Sequence, residues 1–148
     1  KNKKSVKYFS NLLKTNEIKK TYIAILIGKF KGNKTIANEI YKKNSLNLKK
    51  SKSIFKLIRQ LKNTSIVSID LHTGRTHQIR IHASQINHPI LFDKKYGDEL
   101  FNNSINLDFK KSLALHSKSI SFNDQNSKTI RVSASYPHDF KKLINALK

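Results

Sequence analysis

The sequence predicts an α+β domain with a mixed, mainly antiparallel β-sheet and flanking helices. Stretches with strand-like patterns dominate the chain, whereas helical periodicity occurs at both ends and once in the middle. The chain has 148 residues, of which 37% are hydrophobic, and this suffices for one domain with its own core. No internal repeat and no linker rich in Gly, Ser or Pro divides it.

The first half of the chain predicts one helix and two or more strands. Residues 5–15 carry apolar side chains at helical spacing. The stretch "TYIAILIG" is apolar on both faces, which predicts a central strand, and "GKFKGN" ends it as a turn. Residues 35–61 are less regular. They contain strand-like runs around Ile36 and at 54–61, and we expect the polar, lysine-rich segment between these runs to be a mobile loop.

The second half begins with "TSIVSIDL", whose alternation predicts a half-exposed strand. A helix is predicted over 76–86, with Thr76 as its N-cap and Pro89 after its end. "ILFDKKYGD" is predicted to be a loop or a short extended piece. Two further strands, at 113–122 and 128–135, flank the polar turn "NDQNS". The apolar positions of a final helix are Phe140, Leu143, Ile144 and Leu147.

The charge of the chain points to a polyanionic partner. With 30 basic and 9 acidic residues, the formal net charge is +21. Nucleic acid is the first partner that this surplus predicts, and an anionic membrane is the second. The alternative is a coding bias, because frequent Lys, Asn and Ile are typical of AT-rich genes. No apolar run approaches the length of a membrane span, and the absence of cysteine excludes disulfides and thiol catalysis.

The first residues predict that the chain is a fragment of a longer protein. There is no methionine anywhere in it, including position 1. The lysines of "KNKKSVKYF" are not followed by the apolar region of a signal peptide, and they resemble the inside of a helix.

The densest run of functional side chains is "LHTGRTHQIRIH", at 71–82. The chain has only four arginines, and Arg75 and Arg80 lie here. A guanidinium binds a carboxylate or a phosphate through two parallel hydrogen bonds, which a lysine cannot do. The predicted helix start would place Thr76, His77 and Gln78 where free backbone N–H groups favour an anion. The alternative is that both arginines are solvated surface residues.

The other candidate side chains have structural alternatives. His72, His77 and His82 recur every five residues, which does not give the i, i+4 spacing of a metal-binding pair, so no metal site is predicted. His77 is interpreted as an RNA or structural contact; His88 and His116 are interpreted as hydrogen-bonded packing residues. The alternatives for the remaining candidate, Tyr22, are a core aromatic and a ring that stacks on a base.

Three stretches in order resemble the RluA-type pseudouridine synthases, which convert uridine to pseudouridine in structured RNA. They are "KTYIAILIG", "LHTGRTHQIRIHASQINHPILFDKKYGD" and "LALHSKSISF". "TGRTHQIR" beside "HPI…D…YGD" is highly specific, and "LFDKKYGDELF" is most similar to members that act on large-subunit ribosomal RNA. The resemblance implies a mainly antiparallel sheet, no metal and no organic cofactor. It also implies that the target base is flipped into a pocket.

The resemblance also implies roles for individual residues. Tyr22 matches the active-site tyrosine that packs against the target base, and Arg80 matches the arginine that pairs with the catalytic aspartate. We expect the two to line one cleft. The residues that match the helix start beside the bound RNA are Arg75, Thr76, His77 and Gln78.

The chain departs from the family in one motif. The nucleophilic aspartate of the family lies in a His-Arg-Leu-Asp motif, which this sequence lacks. In relatives this motif precedes the Lys-x-Tyr strand by little more than one helix, so we expect it shortly before Lys1. Residues 1–148 would then be one partial catalytic domain, without the nucleophile and without the N-terminal RNA-binding module of some relatives. We expect the chain alone to be inactive and the guanidinium of Arg80 to be left unpaired.

The function that follows is a pseudouridine synthase acting on 23S ribosomal RNA, monomeric and cytoplasmic, with no membrane partner. The competing hypothesis is a non-catalytic basic protein that binds ribosomal RNA, or a decayed gene product that keeps the fold.

Overall fold

The structure, a computed structural model, describes residues 2–41 and 47–148. Its elements in these two ranges are, in chain order, α1 (Lys3–Lys14), β1 (Lys19–Ile27), β2 (Asn33–Tyr41), β3 (Leu48–Gln60), β4 (Thr64–Leu71), α2 (Gln78–Gln85), α3 (Glu99–Ser104), β5 (Leu115–Asn123), β6 (Thr129–Ser133) and α4 (His138–Ala146). Among these residues no helix is long and apolar enough to cross a membrane.

Six strands form one sheet in the order β2-β3-β4-β1-β5-β6. Every pairing between them is antiparallel, which confirms the predicted fold class, although none of the described pairs is parallel. β1 lies inside the sheet, and residues 23–27 are buried on both of its faces. The prediction of a central, doubly apolar strand is therefore confirmed.

The register of the strands defines the two faces of the sheet. Residues directly opposite each other in an antiparallel pair point to the same face. Ile69 of β4 lies opposite both Tyr22 of β1 and Phe55 of β3, so these three side chains share one face. Ser53, two residues before Phe55, belongs to the same face and hydrogen-bonds to α2. We call this side the α2 face.

The opposite face carries the alternate residues of the same strands. Ile23 points to this side, and its partner on β5 is His116. The ring of His116 lies 6.0 Å from that of Phe140, between ring centroids, so α4 covers this face. The core therefore has two layers, one on each side of the sheet.

The structure corrects the strand prediction for residues 35–61. The predicted short runs at 35–61 are two long strands, β2 and β3, which pair from Asn33 opposite Lys56 to Tyr41 opposite Leu48. Most of the predicted mobile loop is therefore strand, and its residues 42–46 lie outside the described residues. In β4 the predicted alternation is confirmed, since Val67, Ile69 and Leu71 are buried and Ser68 and Asp70 are partly exposed, and residues 64–66 are buried as well.

Two helix predictions also change. α2 begins at Gln78, and His77 is its N-cap with a left-handed backbone (φ 55°), so the prediction of Thr76 as the cap is wrong. Helix α3 was not predicted. The side chain of Asp98 caps it by accepting a hydrogen bond from the N–H of Phe101 at 2.9 Å, and six residues are too few to show a helical period.

Candidate active site

Helix α2 is fixed to the sheet by a buried histidine. His82 has no exposed surface, and its ring bonds to β3 and β2: Nδ1 lies 3.0 Å from Ser53 Oγ, and Nε2 lies 2.9 Å from Ser51 Oγ and 2.8 Å from Asn38 Oδ1. Because Asn38 Oδ1 can only accept, it favours the tautomer with the proton on Nε2. Burial lowers the pKa of His82 to about 4, so the ring is neutral at pH 7.

Gln78 holds the turn that leads into α2. It is 2% exposed. Its Nε2 donates to Ser53 Oγ at 2.9 Å and to the Lys52 carbonyl at 3.0 Å. Its Oε1 accepts from Thr73 Oγ1 at 2.7 Å and from the Arg75 N–H at 3.1 Å. These four bonds use the whole amide, so the geometry gives Gln78 a role in fixing the turn, not one at the surface.

The other residues predicted to contact RNA lie at the surface. Arg75, Thr76 and His77 are exposed. Arg75 Nε donates to the Lys50 carbonyl at 3.1 Å, and the two Nη groups donate no hydrogen bond to the residues that the structure describes, so they can bind a ligand. His77 Nδ1 lies 3.2 Å from the hydroxyl of Tyr96. A ligand that approaches the turn would therefore meet Arg75, Thr76 and the His77–Tyr96 pair together.

Arg80 and Asp93 form the principal ion pair of the site. Arg80 Nε donates to Asp93 Oδ2 at 2.7 Å, and Nη2 donates to Oδ1 at 2.6 Å. The side chain of Asp93 is 0% exposed, and Oδ1 also accepts the backbone N–H groups of Lys95 and Tyr96. The ring of Tyr96 lies 5.0 Å from Arg80 Cζ, so the guanidinium is held by a carboxylate and an aromatic ring together.

This pair fixes the charge of both groups. Burial raises the pKa of Asp93, but the hydrogen bonds from Arg80 and from two backbone N–H groups outweigh it, and the pKa of Asp93 lies below its usual value. The hydrogen bond to Asp93 in turn raises the pKa of Arg80. Both groups are therefore ionised at pH 7.

The expectation that Arg80 is unpaired in this chain is wrong, because Asp93 is its partner. Asp93 occupies Nε and one hydrogen of Nη2, so the other edge of the fork, formed by Nη1 and Nη2, is not used by this pair. In the part of the chain that the structure describes, both hydrogen bonds of the Arg80 guanidinium go to Asp93, and Nη1 donates none. The geometry thus allows Arg80 to bind a second carboxylate while it keeps the first.

Tyr22 lies on the same side of the sheet as α2. Its cross-strand partner Ile69 points to the α2 face, and Tyr22 is half-buried there between β4 and β5. The expectation that Tyr22 and Arg80 line one cleft requires both side chains to lie on this side of the sheet. Asp70, by contrast, lies opposite Thr21 and points to the other face, where Lys56 Nζ binds its Oδ2 at 2.8 Å.

The remaining sequence predictions concern histidines and metals. His88 Nδ1 lies 2.9 Å from the Ile27 carbonyl, and His116 packs edge-on against Tyr136, so both are packing residues as predicted. Among the described residues, no group of three or more His, Asp or Glu side chains could hold a metal ion. Asp93 is the residue that sequence reasoning missed, although it lies in the quoted "LFDKKYGD" stretch.

The fold and the sequence around α2 agree with one protein family, and a comparison with family sequences shows that this chain belongs to it. The sequence model of the RNA pseudouridylate synthase family matches residues 1–85, more than half of the chain. The predicted family is therefore confirmed.

Particular relatives carry names that agree with this family. The chain is similar to the ribosomal large subunit pseudouridine synthase C of Haemophilus influenzae, with 31% identity over 148 residues, which cover 92% of this chain and 46% of the relative. The enzyme of the same name from Buchnera aphidicola subsp. Acyrthosiphon pisum is 33% identical, covering 91% of this chain and 47% of the relative. The chain thus spans about half the length of the curated relatives it matches.

Solved structures confirm the fold. Human RNA Pseudouridylate Synthase Domain Containing 1 matches with a TM-score of 0.77 at 22% identity, over 99% of this chain and 72% of that chain. Human RNA Pseudouridylate Synthase Domain Containing 4 matches with a TM-score of 0.81 at 18% identity, over 99% of this chain and 68% of that chain.

Proposed function

We propose that the protein to which this chain belongs isomerises uridine to pseudouridine in 23S ribosomal RNA. The observation that carries the proposal is the fork of Arg80. One edge is held by the buried Asp93, and the other edge can orient a second carboxylate on the α2 face, to which Tyr22 also points. Because the chain spans about half the length of its curated relatives, the nucleophile is assigned to a segment outside these 148 residues.

The proposed reaction divides the work between three groups. The nucleophilic aspartate attacks the ribose, and the glycosidic bond from the ribose to nitrogen breaks. The detached uracil rotates, and its C5 carbon forms a bond to the ribose as the bond between the ribose and the aspartate breaks. The proton on C5 then leaves, and the former glycosidic nitrogen takes up a proton. Arg80 keeps the aspartate ionised and oriented, as a paired guanidinium favours the charged carboxylate. Tyr22 packs against the flipped base and assists removal of the proton.

Neither aspartate near the site suits the role of nucleophile. Asp93 has no exposed side-chain surface and accepts four hydrogen bonds, so a ribose cannot reach it. Asp70 points away from Tyr22, toward the opposite face. The geometry therefore supports the view that the carboxylate comes from elsewhere.

Ribosomal RNA is the proposed partner, and the protein is expected to act as a cytoplasmic monomer. The net charge of +21 suits a polyanion, and the exposed Arg75, Thr76 and His77 surround the turn that enters α2. These three residues would bind the backbone of the RNA near the target nucleotide.

The test compares the 148-residue chain with an extended protein in which the coding sequence upstream of Lys1 is restored. The substrate is ribosomal RNA with tritium on C5 of its uridines. We expect tritium release from the extended protein and none from the shorter chain. Replacement of the aspartate in the restored Arg-Leu-Asp motif should abolish the release.

Three outcomes would contradict the proposal. Turnover by the 148-residue chain alone would show that the nucleophile lies within it. An extended protein that binds ribosomal RNA without releasing tritium, or a stop codon directly upstream of Lys1, would favour the non-catalytic binding protein.

A further inference from the structure

Lys20 lies on the same face of the sheet as Tyr22, two residues earlier on β1. Lys20 is opposite Leu71 and Tyr22 is opposite Ile69, so both side chains leave the strand toward the α2 face. Two residues of a strand span about 7 Å. A group bound to Lys20 would therefore lie beside a base that packs on Tyr22.

The ammonium group of Lys20 has no acidic partner in the described part of the chain. The two recorded ion pairs there are Lys56–Asp70 and Arg80–Asp93. Asp70 is the nearest acid in the register, but it points to the opposite face. Partial burial lowers the pKa of Lys20, as expected for a cation that loses water without gaining a carboxylate. A group of this kind gains stability from an anion.

The surroundings of Lys20 suit an anion of the size of a phosphate. Its Nζ lies 3.8 Å from the position that a side chain on Gly74 would occupy, directly beside the turn that carries Arg75. A cavity of about 700 Å³ opens at this end of β1 and β4, and Lys20 is one of its lining residues. The carboxylates of Glu17 and Asp70 also line this cavity, and its arginine and hydroxyls point to the opposite face of the sheet, so the phosphate would bind on the side of Lys20 that faces Gly74. These residues of the opposite face are Arg131, Thr21, Ser119, Ser121 and Thr129.

We propose that Lys20 binds a backbone phosphate of the RNA strand, next to the nucleotide whose base packs on Tyr22. The proposal rests on the proposed function, because it takes the RNA and the role of Tyr22 from it. A lysine suits this task, since a phosphate needs a point charge that tolerates several geometries. Such a contact fixes the position of the strand and does not read its sequence.

Lys19 provides a matched control. It precedes Lys20 on the same strand, carries the same charge and also lines the cavity. However, it is exposed, and its side chain points to the opposite face, because it lies opposite Ser121 and alternates with Lys20. Lys20→Met and Lys19→Met therefore remove the same charge from adjacent positions on different faces.

The experiment measures binding of the 148-residue chain to a synthetic RNA hairpin with a uridine in its loop. In a set of such hairpins, one loop phosphate at a time is replaced by an uncharged methylphosphonate. We expect the wild type to lose affinity about tenfold at one linkage, which corresponds to one charge-assisted hydrogen bond. Lys20→Met should bind the unmodified hairpin about tenfold more weakly and be insensitive to that linkage.

The control variants decide the result. Lys19→Met should keep the sensitivity to that linkage, and Lys20→Arg should keep most of the affinity. If Lys20→Met and Lys19→Met weaken binding equally and both keep the same linkage dependence, Lys20 contributes only to the net charge and the proposal is wrong. A wild type with no sensitive linkage would also overturn it.

Failure of this proposal can be distinguished from failure of the proposed function. Tritium release by the extended protein depends on the nucleophile and can be measured whatever the linkage scan gives. If the methylphosphonate series identifies Lys20 but the extended protein releases no tritium, the phosphate contact is supported and the proposed isomerase function is wrong. Thermal unfolding of Lys20→Met checks its fold, and we expect no loss of stability because a partly buried, unpaired cation is removed.

Discussion

The two faces of the sheet each carry an aspartate in an ion pair, but the pairs differ in burial. On the α2 face, the side chain of Asp93 is 0% exposed and that of Arg80 is 18% exposed. Arg80 donates one hydrogen bond to each of the two carboxylate oxygens of Asp93. On the opposite face, Asp70 and Lys56 are 36% and 48% exposed and make one contact of 2.8 Å. Water screens the second pair and is largely excluded from the first.

This difference extends to the neighbours of the two pairs. Asp93 accepts further bonds from backbone N–H groups, and α2 is fixed to β3 by the buried His82 and Gln78. Asp70 has one further bond, at 3.4 Å from Thr21 Oγ1. Buried polar groups that are fully bonded hold one geometry, which an active site requires. The comparison therefore agrees with the proposal that the reaction takes place on the α2 face.

The largest expected effect comes from breaking the buried pair. Asp93→Asn should lower the free energy of unfolding by about 3 kcal/mol, because it leaves the guanidinium of Arg80 partly buried without a counter-charge. Urea unfolding at pH 7 measures this loss. Asp70→Asn is the matched control, and we expect it to cost less than about 0.5 kcal/mol. Equal losses for the two variants would remove the distinction between the faces.

The second effect is a dependence of stability on pH through His82. Burial lowers the pKa of His82 in the folded protein to about 4. The unfolded ring has a pKa near 6.5, so between these values the unfolded state binds the proton and stability falls as the pH falls. From pH 7 to pH 5 we expect His82 to account for a loss of about 2 kcal/mol.

Urea unfolding at both pH values, for the wild type and for His82→Gln, separates this contribution from that of other groups. The variant is expected to be less stable at pH 7 but to change less between pH 7 and pH 5. If both proteins show the same pH dependence, folding does not lower the pKa of His82 and the prediction is wrong.

A third prediction concerns RNA binding at the turn. Arg75→Met should weaken binding to an RNA hairpin and reduce the slope of log K against log salt by about 0.7, the value for one phosphate contact in a single strand. Lys56→Met removes the same charge on the opposite face, and we expect it to leave the slope nearly unchanged. Equal changes in slope would indicate diffuse attraction by the net charge. A wild type with a flat salt response would contradict electrostatic binding altogether.

The smallest expected effect belongs to the exposed pair itself. A double-mutant cycle of Asp70→Asn and Lys56→Met should give a coupling energy of about 0.5 kcal/mol or less, because the pair is solvated on both partners. The coupling should shrink further in 0.5 M salt, where the screening length is below about 5 Å. A coupling above about 2 kcal/mol would mean that the pair behaves as a buried one.

The sequence predicted the apolar parts of the fold well. Residues 23–27 and the final helix carry apolar side chains in periodic patterns, and these patterns reflect burial directly. β3 was missed as one continuous strand because Ser51 and Ser53 are buried polar residues, bonded to α2, among exposed lysines. A pattern of hydrophobicity cannot show that a serine is buried when its partner lies on a distant helix.

The site was predicted in part for a similar reason. Arg75 and Arg80 stood out because the chain otherwise uses lysine, and Tyr22 was found through the family resemblance. The partner of Arg80 was not found, because Asp93 reaches it only after the chain has turned at the end of α2. Thr76 is a residue type that often caps helices. In this structure, however, Gln78 Oε1 accepts the hydrogen bond from the N–H of Arg75, and α2 begins only at Gln78, with His77 as its N-cap.

One measurement tests most directly whether the chemistry takes place on the α2 face. Tritium release from C5-labelled ribosomal RNA is compared for two variants of the extended protein, Tyr22→Ala and Asp70→Ala. We expect Tyr22→Ala to lose at least about 100-fold in turnover, since it removes the group that packs on the base and assists proton transfer. Asp70→Ala should keep turnover within about twofold of the wild type, because its carboxylate lies on the opposite face. The reverse result, an active Tyr22→Ala and an inactive Asp70→Ala, would contradict the assignment.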